Sequence, residues 1–541
     1  MDRIVVQFLL SKSMNRKEFI QTSSLGIAAF FFLGSGTLFG KALNPLETPT
    51  SKPTETFNKE VVIIGSGYGG SVAALRLCEK NIPVTLLEMG LDWGKSGKKF
   101  SPMSNPGHSA AWLKTKSIAP FFNLFSLEKF TGALDRLDFE HIKIWVGRGV
   151  GGGSIVNGGM AVTPKKEYFK EIFPNLDTEK FYSHYFPLAN KELKANVASE
   201  EFLNDCDFYK FNRVGEEEAH KAGFKTVRVP NVYDFKYMEQ EYKEEVPRSA
   251  LAGEVIYGNN HGKNSLDKTY LKKAGATGKL EILELHQVNH ISQNSDKSYT
   301  IDISVINTKG EEIQHKIINT KKLILSAGTM GSLELLLKSN SINQFPIDKN
   351  MGKEWGNNGN FMTGRNWVKA FSGGTGFQQA TIPVGGIDYW EDKKHPFFVE
   401  IAPLPMGMNV ATSLYLMVNK LKKYGEVAYD ENKLQLNWDQ SHTAHMEDNA
   451  KFFLRKMNKA NGGTRAHMLF HNGFGADVCY HPLGGIVLGK ATDQFGRLNG
   501  HQNLYVIDGS LIPGTIGVNP FVTITAIAEY CMEEIIKKDF S

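Results

Sequence analysis

Cysteine is scarce. Cys78, Cys206, Cys479 and Cys531 lie far apart in a chain of 541 residues and form no C-x-x-C or metal-ligand spacing. That excludes a disulfide framework and a zinc centre, leaving buried thiols or, as the alternative, one accidental disulfide. An excess of one charge is missing too. The net charge of +5 is small against 62 basic and 57 acidic residues, and no stretch interleaves basic clusters with aromatic residues. Nucleic acid is therefore excluded as a partner. Also absent is an apolar run of the roughly 20 residues that crossing a bilayer takes. What is plentiful is glycine, 53 residues gathered in clusters, which suits cofactor loops better than low complexity. A chain of this length exceeds what one growing core supports, so two domains, not necessarily contiguous in sequence, are expected.

The amino-terminal segment is set apart from the fold. Met14 to Phe39 reads as a charged patch (Arg16, Lys17) followed by the apolar run LGIAAFFFLGSGTLF, then Lys41-Ala42 and a Pro/Thr-rich stretch. This is an export signal in outline, assigned to residues 1–45. The string NRKEFIQ is similar to a twin-arginine signal, with Lys17 where the second arginine usually stands; an uncleaved anchor is the alternative. Residues 46–58, rich in Thr, Pro and Ser, read as a flexible linker. The mature protein is thus expected to be exported, periplasmic or secreted.

A dinucleotide fingerprint follows. Glu60 to Ile64 reads as a buried parallel strand leading into Gly65-Ser66-Gly67-Tyr68-Gly69-Gly70, then a helix SVAALRLCEKN, then a second apolar run, Val84 to Leu87, ending at Glu88. Gly65 permits a tight turn, Gly67 lets backbone approach a pyrophosphate, and Gly70 lets helix pack closely on strand. The helix N-terminus, with its unpaired N–H groups, faces the phosphates, and Glu88 accepts from ribose hydroxyls. Tyr68 and Gly69 complete the cofactor-binding turn. Without a ligand the same residues would be a glycine-rich βα turn and Glu88 a solvated strand end. The fingerprint alone does not separate NAD from FAD.

The second glycine cluster, GRGVGGGSIVNGGM from Gly147 to Met160, cannot form an ordinary helix or strand. Taken alone it could be a flexible loop. It resembles the flavin-embracing segment of the glucose-methanol-choline (GMC) oxidoreductases, and the likeness to the sterol-oxidising branch of that family runs further. The strings IIGSGYGGSVAALRL, PNVYDFKYM, VIYGNNHGKNSLDKTYL, EIAPLPMG, YHPLGGIVLGKAT and Tyr505 to Glu529 all resemble it, from about residue 60 to the C-terminus.

The resemblance implies an α/β (α+β) fold. A Rossmann-like FAD-binding domain would be assembled from residues 59–95, 248–345 and 478–541. A substrate-binding domain, a mixed β-sheet covered by helices, would come from 96–247 and 346–477. It implies non-covalent FAD held, besides the fingerprint, by Gly149, Gly152, Gly153, Asn157, Gly158, Met160, Asp508, Gly509, Asn519 and Phe521, with the Val288 backbone at the adenine end. LILSAGTMGS (Leu323 to Ser332) is consistent with this, reading as another buried strand and glycine turn.

The resemblance also assigns the chemistry. Oxidising a secondary alcohol requires removal of the hydroxyl proton and transfer of a hydride. His481, in the turn Tyr480-His-Pro-Leu-Gly-Gly485, matches the family's active-site histidine, the hydrogen-bonding base; by itself it reads as a turn or core histidine. Asn519, before Pro520, matches an asparagine that points at the flavin, and is also placed to cap the following helix. Glu400 interrupts the apolar run PFFVEIAP, where burial should raise its pKa and let it both take and return a proton; the other reading is a solvent-facing Glu on an edge strand. A non-catalytic relative that merely kept the fold should have lost one of these three residues, and none is lost. Phe100 to Thr131 carries an aromatic load suited to an apolar pocket, a membrane-dipping lid or plain core packing. The implied activity is FAD-dependent oxidation of a 3β-hydroxysteroid by dioxygen, giving hydrogen peroxide, then Δ5-to-Δ4 isomerisation. The alternative is another bulky apolar alcohol with a quinone acceptor. The implied partners are a sterol, dioxygen and a membrane surface touched transiently.

Overall fold

Glu55–Ile64 pairs parallel with Val84–Leu87 on one side and with Glu312–Leu325 on the other. These strands are the middle of a seven-stranded sheet ordered Leu280–Leu283, Val84–Leu87, Glu55–Ile64, Glu312–Leu325, Tyr299–Ile306 and His286–Gln293, with Leu504–Val506 alongside Glu312–Leu325. The computed structural model describes residues 54–96, 100, 111–113, 129–252, 258–369, 381–403, 411–465 and 477–540. The export signal of 1–45, residues 46–53 of the linker, and residues 101–110 and 114–128 of the aromatic stretch lie outside them. Among the described residues no helix is long and apolar enough to cross a membrane. The four cysteines are buried free thiols.

The central strands are apolar throughout because both faces are covered. Val61 to Ile64, Val84 to Leu87 and Leu323 to Leu325 are all buried. The linker ends earlier than its composition indicates: Glu55 to Asn58 already pair with Lys316 to Asn319. These residues are exposed or nearly so, which is why no apolar pattern marks them as strand.

The second sheet has six strands in the order Thr464–Arg465, Asn360–Asn366, Thr412–Asn419, Phe397–Ala402, Gly385–Asp388 and Lys225–Arg228. Every pair in it is antiparallel, so it is not the mixed sheet expected of the substrate-binding domain; parallel and antiparallel pairs mix in the first sheet. Strand alternation splits its residues between two faces. Val399, Ile401 and Tyr415 lie on the face covered by helices: Ile401 packs on Gly215 of Lys210–Lys221, and the Tyr415 ring lies 5.1 Å from that of Phe453 in Gln440–Asn461. Glu400 shares the opposite face with Phe398, Ala402, Leu414, Leu416 and Met362. A small sheet of Leu134–Asp138, Ile142–Gly147 and Asp477–Cys479 leads directly into the second glycine cluster.

The C-terminal helix Phe521–Asp539 locks onto the fingerprint helix Tyr68–Cys78. Phe521 stacks on Tyr68 with centroids 5.1 Å apart, and the Glu529 carboxylate accepts from Arg76 Nε (2.7 Å), Arg76 Nη2 (2.8 Å) and Tyr270 Oη (2.8 Å). Glu529 is 3% exposed, and removing it takes two hydrogen bonds from the partly buried Arg76 guanidinium, which keeps Glu79 at 2.8 Å, and leaves the buried Tyr270 hydroxyl without its acceptor. Glu529→Ala should destabilise the protein by about 1.5–3 kcal/mol, the range for lost hydrogen bonds to a charged group, read from denaturant midpoints. A change within 1 kcal/mol would show that Glu79 and solvent satisfy Arg76 without Glu529.

Candidate active site

The fingerprint turn contains two kinds of glycine. Gly65 has φ +96°, and a Cβ there would lie 2.2 Å from the Ser326 carbonyl oxygen, so the fold itself demands glycine. Gly67 has φ −68° and ψ −166°, extended backbone open to any residue, and a Cβ there meets nothing within 4 Å. Gly67 is also the N-cap of Tyr68–Cys78 and makes no side-chain cap. The space over this helix start, with first-turn N–H groups uncapped by any side chain, fits a dinucleotide's pyrophosphate.

The second cluster closes on the first. Gly152 approaches so closely that a Cβ on it would lie 2.8 Å from Gly67 Cα. Ser66 Oγ donates to Glu88 Oε2 (2.6 Å) and accepts from the Gly151 N–H (3.0 Å), while Glu88 Oε1 accepts from the N–H groups of Gly90 (2.9 Å) and Gly149 (3.2 Å). Glu88 is thus buried between the two clusters, not a solvated strand end. Asn157 Nδ2 donates to Tyr68 Oη (2.6 Å), and Gly158 accepts from Asn231 Nδ2 (2.9 Å). Met160 packs with Phe398 and Val418, joining the cradle to the second sheet. Val288 lies on the strand reached through Leu285, whose N–H donates to the Gly90 carbonyl (3.1 Å), which puts it at the Glu88 end.

On the far side Asp508 follows Leu504–Val506. It accepts from Ser332 Oγ (2.5 Å) and from Ser510 N (2.9 Å) and Oγ (2.6 Å), so it fixes the turn that contains Gly509. The Oδ1 atoms of Asn157 and Asn519 are buried with no hydrogen-bond partner among the described residues. Two orphaned acceptors on the cradle, together with the opening at Gly67, fit a flavin dinucleotide.

Glu400 and Asn519 meet. Asn519 Nδ2 donates to Glu400 Oε2 at 3.3 Å. Glu400 is 8% exposed in the middle of its sheet, which rules out the edge-strand reading. Burial raises its pKa to about 7, the Asn519 hydrogen bond pulling the other way. Its face is apolar: Met362, Ala402, Leu414 and Leu416 belong to one cluster with Trp145 and with Phe100 and Phe130, the described ends of the aromatic stretch.

His481 is joined to this face through Asn360. Asn360 Nδ2 lies 3.0 Å from His481 Nδ1, and Asn360 Oδ1 accepts from the Tyr480 N–H (3.0 Å). Asn360 pairs with Val418, and Met362 pairs with Leu416, itself paired with Glu400. Asn360 therefore sits on the Glu400 face, one same-face row away. Burial lowers the His481 pKa to about 4. A base of pKa about 4 accepts poorly near neutrality, while a carboxyl of about 7 is matched to taking and returning a proton there.

A group that works as a base is active when ionised. With Glu400 as the base, the rate of flavin reduction by substrate should rise with pH through about 7 and level off above, as the carboxyl loses its proton. His481 is neutral above its pKa of about 4 and should add no step near neutrality. Stopped-flow flavin reduction against pH measures this, and a flat profile across neutrality would refute it.

The residues missed from sequence are Asn357, Asn358 and Asn360, all at most 1% exposed, and Ser66. Their signal was the polar run GNNGN just before a buried strand, and a serine inside the fingerprint.

Comparisons with known proteins agree with this geometry. A family model described as GMC oxidoreductase matches residues 56–354, a second described as GMC oxidoreductase, C-terminal, matches 358–471, and a third described as GMC oxidoreductase matches 428–528. A cholesterol oxidase of Acinetobacter baumannii is 24% identical over 89% of this chain and 95% of its own length. A cholesterol oxidase of Mycobacterium tuberculosis (strain H37Rv) is 23% identical over 87% of this chain and 90% of its own length. Among solved structures, a formate oxidase of Aspergillus oryzae, a variant studied for FAD modification, superposes with a TM-score of 0.60 at 14% identity. That superposition covers 90% of this chain and all of that one. With the first match alone spanning more than half the sequence and the cradle built as a flavin dinucleotide requires, the chain belongs to the GMC oxidoreductase family.

Proposed function

We propose that this GMC flavin oxidoreductase oxidises the 3β-hydroxyl of a cholesterol-like sterol to the ketone with dioxygen as acceptor, and then shifts the ring double bond from Δ5 to Δ4. The observation that carries this is Glu400: a buried carboxyl of pKa about 7 in the middle of an apolar sheet face, hydrogen-bonded to Asn519. A small polar substrate has no use for such a face, whereas a fused-ring body does. The full-length similarity to two cholesterol oxidases supports the same reading.

Bound FAD, held at the Gly67 helix start and the Gly149 to Met160 cradle, would supply a hydride acceptor and a route for two electrons and, with a proton from solvent, hydrogen to dioxygen as hydrogen peroxide. The chain supplies the proton handling. His481 and Asn519 hold the substrate oxygen by hydrogen bonds, and the Glu400 carboxylate takes the hydroxyl proton. After releasing that proton, Glu400 removes one from the carbon between the new ketone and the double bond and returns it at the far end of the original double bond, so that the bond moves into conjugation. No net proton is gained or lost in that second step. Sterol-dependent peroxide release with formation of a conjugated enone tests the reading; turnover seen only with an artificial dye would favour a quinone acceptor.

FAD would be held non-covalently, because Gly149 to Met160 offers no Cys, His or Tyr for attachment. Acid precipitation should leave the flavin in solution, and flavin retained in the pellet would contradict it. The signal-like residues 14–39 support export, and the aromatic stretch Phe100 to Thr131 supports brief contact with a membrane surface while substrate is taken up. Fractionation of cells making the full chain tests the first, and vesicle flotation the second.

A further inference from the structure

Asn357, Asn358 and Asn360 form a fully buried turn before the strand Asn360–Asn366. Burying three primary amides is unfavourable unless each is satisfied. Asn357 serves the turn: its Oδ1 accepts from the Gly359 N–H (3.0 Å) and its Nδ2 donates to the Asn360 carbonyl (3.0 Å). The other two side chains reach out to the two loops that carry the site. Asn358 accepts from the Ile516 N–H (2.9 Å) and donates to the Val518 carbonyl (2.8 Å), bracketing the segment that ends in Asn519. Asn360 joins Tyr480 and His481.

The Asn360 contacts determine a proton position. A backbone N–H can only donate, so the Tyr480 N–H identifies the Asn360 atom it meets as the oxygen. The opposite end of the amide is then the NH2 group, and it faces His481 Nδ1. A ring nitrogen that accepts a hydrogen bond in a neutral imidazole carries no proton, so the proton sits on Nε2.

We propose that this asparagine turn is the positioning element of the site, with Asn360 setting His481 as an Nε2–H donor toward the substrate oxygen and Asn358 holding the Asn519 loop. Both catalytic side chains are aligned from one rigid turn. The inference rests on the oxidase reading for its kinetic consequence alone, since the proton position belongs to the protein without substrate.

The test is nitrogen-15 spectroscopy of the FAD-loaded full chain labelled at histidine, with His481 assigned by the signal lost in His481→Gln. A single tautomer is expected, with Nδ1 unprotonated and Nε2 protonated. Asn360→Leu, which offers neither donor nor acceptor, should release the ring to sample both tautomers. Asn360→Asp keeps an acceptor for the Tyr480 N–H, and its ionised carboxylate should draw the proton to Nδ1. Both substitutions should slow flavin reduction by roughly 10²-fold or more. Asn358→Leu should slow reduction while leaving the His481 signals as in the wild type. A protonated Nδ1 in the wild type, or an unchanged Nε2–H tautomer in both Asn360 variants, would overturn the proposal. Failure of cholesterol to reduce wild-type flavin, with the tautomer as described, would sink the sterol reading and leave the role of Asn360 standing.

Discussion

Glu400→Gln should abolish the conjugated enone and slow flavin reduction by roughly 10²–10⁴-fold, the range over which a positioned base contributes. Glutamine keeps the size and the neighbour Asn519 but cannot take a proton, so packing on the Leu416 row is retained and only the chemistry is lost. The step in rate near pH 7 should vanish with it, because that step is the titration of this carboxyl. Rapid-mixing kinetics with a 3β-hydroxysteroid, followed at the flavin absorbance and at the enone absorbance, separates the two events. If reduction stays fast while the enone disappears, the hydroxyl proton goes elsewhere and Glu400 serves isomerisation alone.

Gly67→Asp should leave the fold intact and lose the cofactor. Nothing lies within 4 Å of a Cβ at this position and the backbone is extended, so the side chain is accommodated. Aspartate is moreover a favoured N-cap, worth about 1 kcal/mol to the helix. A carboxylate placed where a pyrophosphate must approach opposes it by several kcal/mol, or roughly 10³-fold in FAD affinity. Gly65→Ala provides the contrast, since its Cβ would overlap the Ser326 carbonyl and the variant should fail in folding. Purification of the two variants, with flavin content and thermal melting measured for each, distinguishes the cases. Full flavin content in Gly67→Asp would show that the pyrophosphate lies elsewhere.

The parts of this molecule that are legible in sequence are those whose cause is local. The strand, glycine turn, helix and acid from Glu60 to Glu88 sit within one short stretch, and each has a role that its residue type alone imposes. Glu400 stands out because a lone carboxylate in an apolar run demands an explanation, and the structure supplies one in its buried, central position. What stayed hidden depends on contacts far along the chain. Asn360 reads as one more polar residue in GNNGN until the Tyr480 N–H, from a distant turn, dictates which way its amide points. Glu55 to Asn58 look like linker because their strand pairing with Lys316 to Asn319 buries no apolar face. Glu88 could be read as solvated because its partners Gly149 and Ser66 converge only after the second glycine cluster folds over the first.

The chemistry proposed for Glu400, His481 and Asn519 depends most on a bound flavin that a sterol reduces. The purified chain, kept free of oxygen, should show the visible spectrum of oxidised flavin, lose it on addition of cholesterol, and regain it with release of hydrogen peroxide when dioxygen is admitted. A flavin spectrum that cholesterol leaves unchanged would contradict it.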